Sequence, residues 1–143
     1  MTQSAQAYPR LVFLDSSANL AVLDAKDAHH AEAIAIWRRL VSSHSRVLTT
    51  NYIVDESYTL IMGELGTAVA LAFIRDIRRS AIVIERVSAV DEERPEQILN
   101  QYRDHRFSYT DATSFVVMER FAITSAFGFD ADFREYRMLL LQP

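Results

Sequence analysis

The chain contains no cysteine. Disulfides, thiolate metal centres and cysteine nucleophiles are therefore excluded, and a reducing, cytoplasmic setting is the natural expectation. Glycine and proline number only three each among 143 residues, so there is no flexible linker and no low-complexity tract. Lysine is almost absent: Lys26 is the only one, and the other cations are arginines. No apolar run approaches the roughly 20 residues of a membrane span, and residues 1–10 lack the apolar core of a secretory signal. No membrane association is expected. A net charge of −4 argues against nucleic-acid binding through the whole surface but leaves room for a local basic patch.

What is present is ordinary for a soluble domain, with half the residues apolar and a quarter charged. One domain is expected over residues 11–143, after an N-terminal tail at 1–10. A chain of this length can bury about 68–70% of its unfolded surface. Short apolar runs alternate with helical periods. Strands are expected at Leu11–Leu14, Arg46–Thr49, Ala81–Val87, Ser125–Phe129 and Met138–Leu141. Helices are expected over 17–23, 28–44, 51–65, 67–79, 90–104 and 108–121, with a short helical turn at 131–134. This alternation implies an α/β fold, a three-layer α/β/α sandwich around a mainly parallel sheet of four or five strands. In such sheets sites form beyond the carboxyl ends of the strands.

Four acids fall at or near such places. Asp15 ends the first strand in L-D-S-S-A. Glu56 lies in the helix N-Y-I-V-D-E-S. Asp111 opens a helix in Y-T-D-A-T, and Asp130 follows the fourth strand in F-D-A-D-F, with Asp132 as the alternative fourth acid. Each has a plain structural explanation. Asp15 suits a helix N-cap, Asp111 suits a first helical turn and the Ser108-x-x-Asp111 capping box, Glu56 suits a solvated helix face, and Asp130 and Asp132 suit a turn. Converging carboxylates repel one another, so a fold that gathers them needs a cation or a shared proton.

The four motifs in this order resemble the PIN domain of VapBC-type toxins, over nearly the whole chain from Leu11 to about Leu140. The resemblance implies a ribonuclease dependent on Mg²⁺ or Mn²⁺, with Asp15, Glu56, Asp111 and Asp130 as the catalytic, metal-holding set. Asp15 and Asp111 are assigned the principal ion. Ser16 stands where the family more often has threonine, and Thr110 matches a position often held by Ser, Thr or Asn; both are supporting residues. Hard oxygen ligands suit such an ion, which lowers the pKa of a water and stabilises charge on a scissile phosphate. One ion or two is left open. Arg103 and Arg106, just before Asp111, are candidate RNA contacts, with Tyr102, Phe107 and Tyr109 either stacking bases or turned into the core. Arg75, Arg78 and Arg79 suit a helix C-terminus, His29 and His30 are expected at the surface, and His44 lies near the end of the second helix.

The resemblance further implies a homodimer and an antitoxin that covers the acidic groove. The residues also admit a PIN-fold module that binds RNA or protein without cleavage, and a solitary RNA-processing nuclease. A receiver domain is excluded because Lys26 is in the wrong place, and a dehalogenase-like phosphatase because D-S-S replaces D-x-D. Transfer RNA, the ribosomal sarcin–ricin loop and messenger RNA remain open as substrates. The stretch F-S-Y-T-D-A-T-S-F resembles the subgroup that tends toward structured RNA loops.

Overall fold

The computed structural model describes residues 7–143. Most of the expected tail, residues 1–6, lies outside the described residues; Tyr8 is half-buried beneath the Arg39 guanidinium, 3.9 Å above its ring. Five parallel strands form one sheet: β1 (Leu11–Leu14), β2 (Arg46–Thr50), β3 (Val83–Glu85), β4 (Ser125–Phe127) and β5 (Leu139–Leu140). Their order is β3-β2-β1-β4-β5. The chain winds outward from β1 in one direction and then returns to its other side. The reversal falls between β1 and β4, where a doubly wound sheet opens a crevice at its carboxyl edge.

Seven helices accompany the strands among the described residues: α1 (Ser16–Leu23), α2 (His30–Ser42), α3 (Asn51–Leu65), α4 (Thr67–Arg79), α5 (Pro95–Gln101), α6 (Tyr109–Arg120) and α7 (Asp132–Glu135). The two-residue period of the strands divides their side chains between the layers. Phe13, Leu48 and Ala126 join Ile98, Phe115, Val117 and Phe133 on one face. Val12, Leu14, Val47 and Phe127 join Ala18, Ala21, Ala33, Ile36 and Leu40 on the other. A third cluster, with Ile61, Ala70, Phe73 and Ile77, closes the α3–α4 hairpin. The hairpin turns at Gly66, whose φ of 88° suits a residue without a Cβ.

β1, α3 and α4 have the expected bounds, β2 and α1 run one residue longer, and the strands expected at 81–87, 125–129 and 138–141 are shorter. The helix expected over 90–104 is a 3-10 turn, Asp91–Glu93, followed by α5. Proline has no amide hydrogen to donate, so Pro95 starts a helix and does not continue one. The strand expected at 125–129 ends at Phe127, because the Phe129 amide donates instead to Ser17 Oγ, 2.9 Å away. No helix among the described residues is long and apolar enough to cross a membrane.

Candidate metal centre

Asp15 leaves β1 and caps α1. Its Oδ2 accepts the Ser17 amide at 3.2 Å and the Ser17 hydroxyl at 2.6 Å. Its own amide donates to Phe127 O at 2.9 Å, extending the β1–β4 ladder by one rung. The side chain is buried, at 3% exposure. Ser16 turns the other way and donates to Glu56 Oε2 at 2.6 Å. That contact ties the start of α1 to the second turn of α3. A buried bond between Asn19 Nδ2 and Ser57 Oγ, 3.0 Å, repeats the tie one turn further on. Glu56 is thus brought to the crevice by pairing between helices.

Asp111 sits in the first turn of α6 as the partner of Ser108 in a complete capping box. The Ser108 amide donates to its Oδ2 at 2.9 Å, and its amide donates to Ser108 Oγ at 3.0 Å. Asp130 follows β4 and accepts the Asp132 amide on Oδ1 at 3.0 Å. Carboxylate oxygens of Asp111, Asp130 and Asp132 all lie within 4.8 Å of one another. The two acids considered as alternatives at the C-terminal corner therefore both reach Asp111.

No cation offsets this charge: among the described residues, none of the five acids takes part in an ion pair. Burial pushes the Asp15 carboxyl up to about 7, against the bonds from Ser17 and with added repulsion from Glu56. Burial and then repulsion from Asp130 and Asp111 push Asp132 up to about 6. Glu56 and Asp111 are raised as well, by burial first and by neighbouring carboxylates after it. A set of hard oxygen donors with uncompensated charge fits a divalent cation. Asp15 and Asp111 serve helix caps, as their plain structural readings expect, and Asp111 also stands in the acidic group with Asp130 and Asp132.

The other residues singled out in the sequence are placed as follows. Thr110 is half-buried beside Asp111, and its carbonyl accepts Thr113 Oγ1 and Ser114 Oγ, each at 2.8 Å. Arg103 and Arg106 are exposed in the loop between α5 and α6. Tyr102 and Phe107 pack inward: Phe107 meets Phe115 edge-on, and both it and Tyr102 lie against Tyr136. Tyr109 alone of that trio is substantially exposed, at 45%. His29 is exposed and stacks on Phe129, with ring centroids 4.4 Å apart.

Two supports escape a reading by residue type. Ser17 holds Asp15 and Phe129 together, and its only signal is the second serine of D-S-S. Gly128 lies so close to Asp15 that a Cβ there would stand 2.8 Å from Asp15 Cβ and 3.2 Å from its Oδ2. Its signal is that it is one of only three glycines and directly precedes an acidic corner.

A doubly wound α/β domain with carboxylates clustered at its carboxyl edge is consistent with a divalent-metal site. The chain belongs to the PIN domain family, whose family model matches residues 12–138. It is similar to the "23S rRNA-specific endonuclease VapC20" of two strains of Mycobacterium tuberculosis. Each is 34% identical over 134 residues, which cover 93% of this chain and 99% of the relative. The crystal structure of Mycobacterium tuberculosis VapC20, described as a sarcin–ricin loop cleaving toxin, superimposes with a TM-score of 0.85 at 30% identity. The superposition covers 92% of this chain and 99% of that one.

Proposed function

We propose that the protein is a VapC-type endoribonuclease toxin that cleaves 23S ribosomal RNA at the sarcin–ricin loop. The observation that carries the activity is the convergence of Asp111, Asp130 and Asp132 within 4.8 Å, with none of them in an ion pair among the described residues. The choice of RNA rests on likeness to VapC20 along nearly the whole of both chains. Asp15, Asp111, Asp130 and Asp132 would hold the ion, Mg²⁺ or Mn²⁺, and Glu56 would complete the set. Bound there, such an ion would supply neutralising charge and an activated water for phosphodiester hydrolysis.

The chain's own residues do the rest. Ser17 and the β1–β4 ladder orient Asp15. Ser16 orients Glu56 through its hydroxyl. Arg103 and Arg106 offer guanidinium forks to phosphates from the loop before α6. The cytoplasm, where ribosomes lie, is the compartment this activity requires.

An antitoxin and a second copy of the chain are the proposed protein partners. Leu60 and Met62 on α3 and Val69 and Leu71 on α4 expose apolar side chains that this domain does not cover. An apolar cavity of about 240 Å³ between α1, α2 and α4, lined by Val22, Leu23, Trp37 and Phe73 among others, contains none of the five acids. It is suited to an apolar side chain of a partner and not to RNA.

The test is cleavage of an RNA hairpin carrying the sarcin–ricin loop, compared with transfer RNA and a messenger fragment, in Mg²⁺ or Mn²⁺. Wild type is expected to cut the hairpin at one position. Asp15→Asn and Asp111→Asn, which keep shape and remove charge, are expected to lose at least a hundredfold in rate while staying folded. Equal cleavage by all three chains would remove the site assignment. Cleavage of transfer RNA in preference would remove the choice of substrate.

A further inference from the structure

On the first turns of the helices that carry Glu56 and Asp111 stand two tyrosines. Tyr52 is four residues before Glu56 on α3, hence one turn along the same helix face. Tyr109 is the first residue of α6, two before Asp111. Their ring centroids are 6.4 Å apart with planes tilted by 37°. Both hydroxyls donate to one oxygen of Glu92, Tyr109 at 3.3 Å and Tyr52 in a shorter bond. Tyr109 exposes 45% of its surface, and its ring contact is with Tyr52.

Glu92 is itself held in place. It belongs to the 3-10 turn Asp91–Glu93. Arg120, in the last turn of α6, forks onto both oxygens of Asp91 at 2.9 and 3.0 Å and reaches Glu85 at 3.1 Å. Asp91 also accepts the Ser88 amide at 2.9 Å, and Asn51, next to Tyr52, accepts the Val87 amide at 2.8 Å. The segment after β3 is therefore clamped to α3 at one end and to α6 at the other. At Glu92 the carboxylate accepts from the two phenols.

We infer that Tyr52 and Tyr109, bridged by Glu92, form a ledge on which an unpaired nucleobase of the RNA stacks beside the scissile phosphate. The inference rests on the ribonuclease reading above and adds specificity-determining residues to it. Rings held by hydrogen bonds lose little entropy when a base is laid on them. Bases of RNA loops are recognised by stacking on such faces. The Glu92 carboxylate repels phosphate, so this side of the crevice takes the base and leaves the backbone to the cation and arginines. Neither Tyr52 nor Glu92 stands out in the sequence, because 40 residues separate them.

The probes are synthetic sarcin–ricin loop hairpins, intact or with a single abasic site walked around the loop. For each, kcat, KM and the anisotropy of a fluorescein-labelled copy are read for wild type, Tyr109→Ala, Tyr109→Phe and Tyr52→Leu. Tyr109→Ala and Tyr52→Leu are expected to raise KM and the dissociation constant about tenfold, since stacking is worth about 1–3 kcal/mol per base. Their kcat should change less than about twofold. Tyr109→Phe keeps the ring and should stay within about threefold of wild type. One abasic position should weaken wild type yet weaken Tyr109→Ala no further. The ledge is overturned if folded Tyr109→Ala binds and cleaves as wild type does, if Phe is as damaging as Ala, or if every abasic effect simply adds to the substitution. Failure of wild type to cleave any RNA would overturn the nuclease reading and not the ledge, which anisotropy with the same variants then decides.

Discussion

Gly128 and Asp15 approach so closely that a methyl group on Gly128 would stand 2.8 Å from Asp15 Cβ. The glycine follows β4 and the aspartate follows β1, on neighbouring strands at the switch point. The contact sets how near the two carboxyl edges come. Gly128→Ala is expected to cost about 1–3 kcal/mol, as overpacking does, and to lower affinity for Mn²⁺ by displacing Asp15. Chemical denaturation and calorimetric titration of the same protein check both effects. Unchanged metal binding would show that Asp15 is not displaced.

Ser16 acts on Glu56 through a single 2.6 Å bond. That bond favours the ionised carboxylate, opposing the upward push of burial. Ser16→Ala should raise the Glu56 pKa further and weaken divalent binding about 10–100-fold, the range seen for residues that orient ligands. Ser16→Thr keeps the hydroxyl and should stay near wild type. Titration with Mn²⁺ across a pH series distinguishes the three proteins.

The acid cluster makes the metal-free protein more stable in mild acid. Asp15 titrates near 7 and Asp132 near 6 in the folded chain, against about 3.9 for an unfolded aspartate. Between those values the folded state takes up protons that the unfolded state does not. Stability therefore rises as pH falls from about 7.5 toward 4. Melting temperatures in EDTA are expected to climb over that window, and millimolar Mg²⁺ or Mn²⁺ to flatten or reverse the trend. A metal-free melting temperature that falls steadily from pH 7.5 would contradict the raised Asp15 and Asp132 carboxyls.

Asp91 responds in the opposite sense. Burial alone would raise it, but the Ser88 amide, the Arg120 guanidinium and the Ser88 hydroxyl outweigh burial and lower its pKa. A depressed carboxyl stabilises the fold above its unfolded pKa, and that contribution is lost as pH falls through the folded value, below about 3.9. Arg120→Met removes the fork and leaves Asp91, at 2% exposure, without its cation. The loss should be roughly 2 kcal/mol. That is less than for a fully buried pair, because the arginine is 39% exposed and screened by solvent. Urea denaturation at neutral pH measures it.

Much of the architecture was legible in the chain because it depends on neighbours in sequence. β1, α3 and α4 run where their apolar periods and the Gly66 stop put them. The Ser108–Asp111 spacing forms the capping box it implies. The alternation of strand and helix dictates a parallel sheet, since parallel neighbours need a crossover. The order of acidic motifs was likewise readable, and the PIN family follows from it.

Tertiary structure decided what depends on residues far apart in the chain. Glu56 looked like a solvated helix face until Ser16, 40 residues away, brought it to the crevice. Asp130 and Asp132 could not be separated on paper, and the short turn after β4 puts both near Asp111. Tyr102, Phe107 and Tyr109 share one loop and helix start, yet two pack inward and one stays out, because only Phe107 and Tyr102 meet the Phe115–Tyr136 stack. Gly128 matters through a strand that begins 117 residues earlier, at Leu11. Local spacing encodes caps and periods, since these are set by bonds to the next few residues. Which carboxylates meet, and how closely, is settled by the packing of β1 on β4 and of α1 on α3.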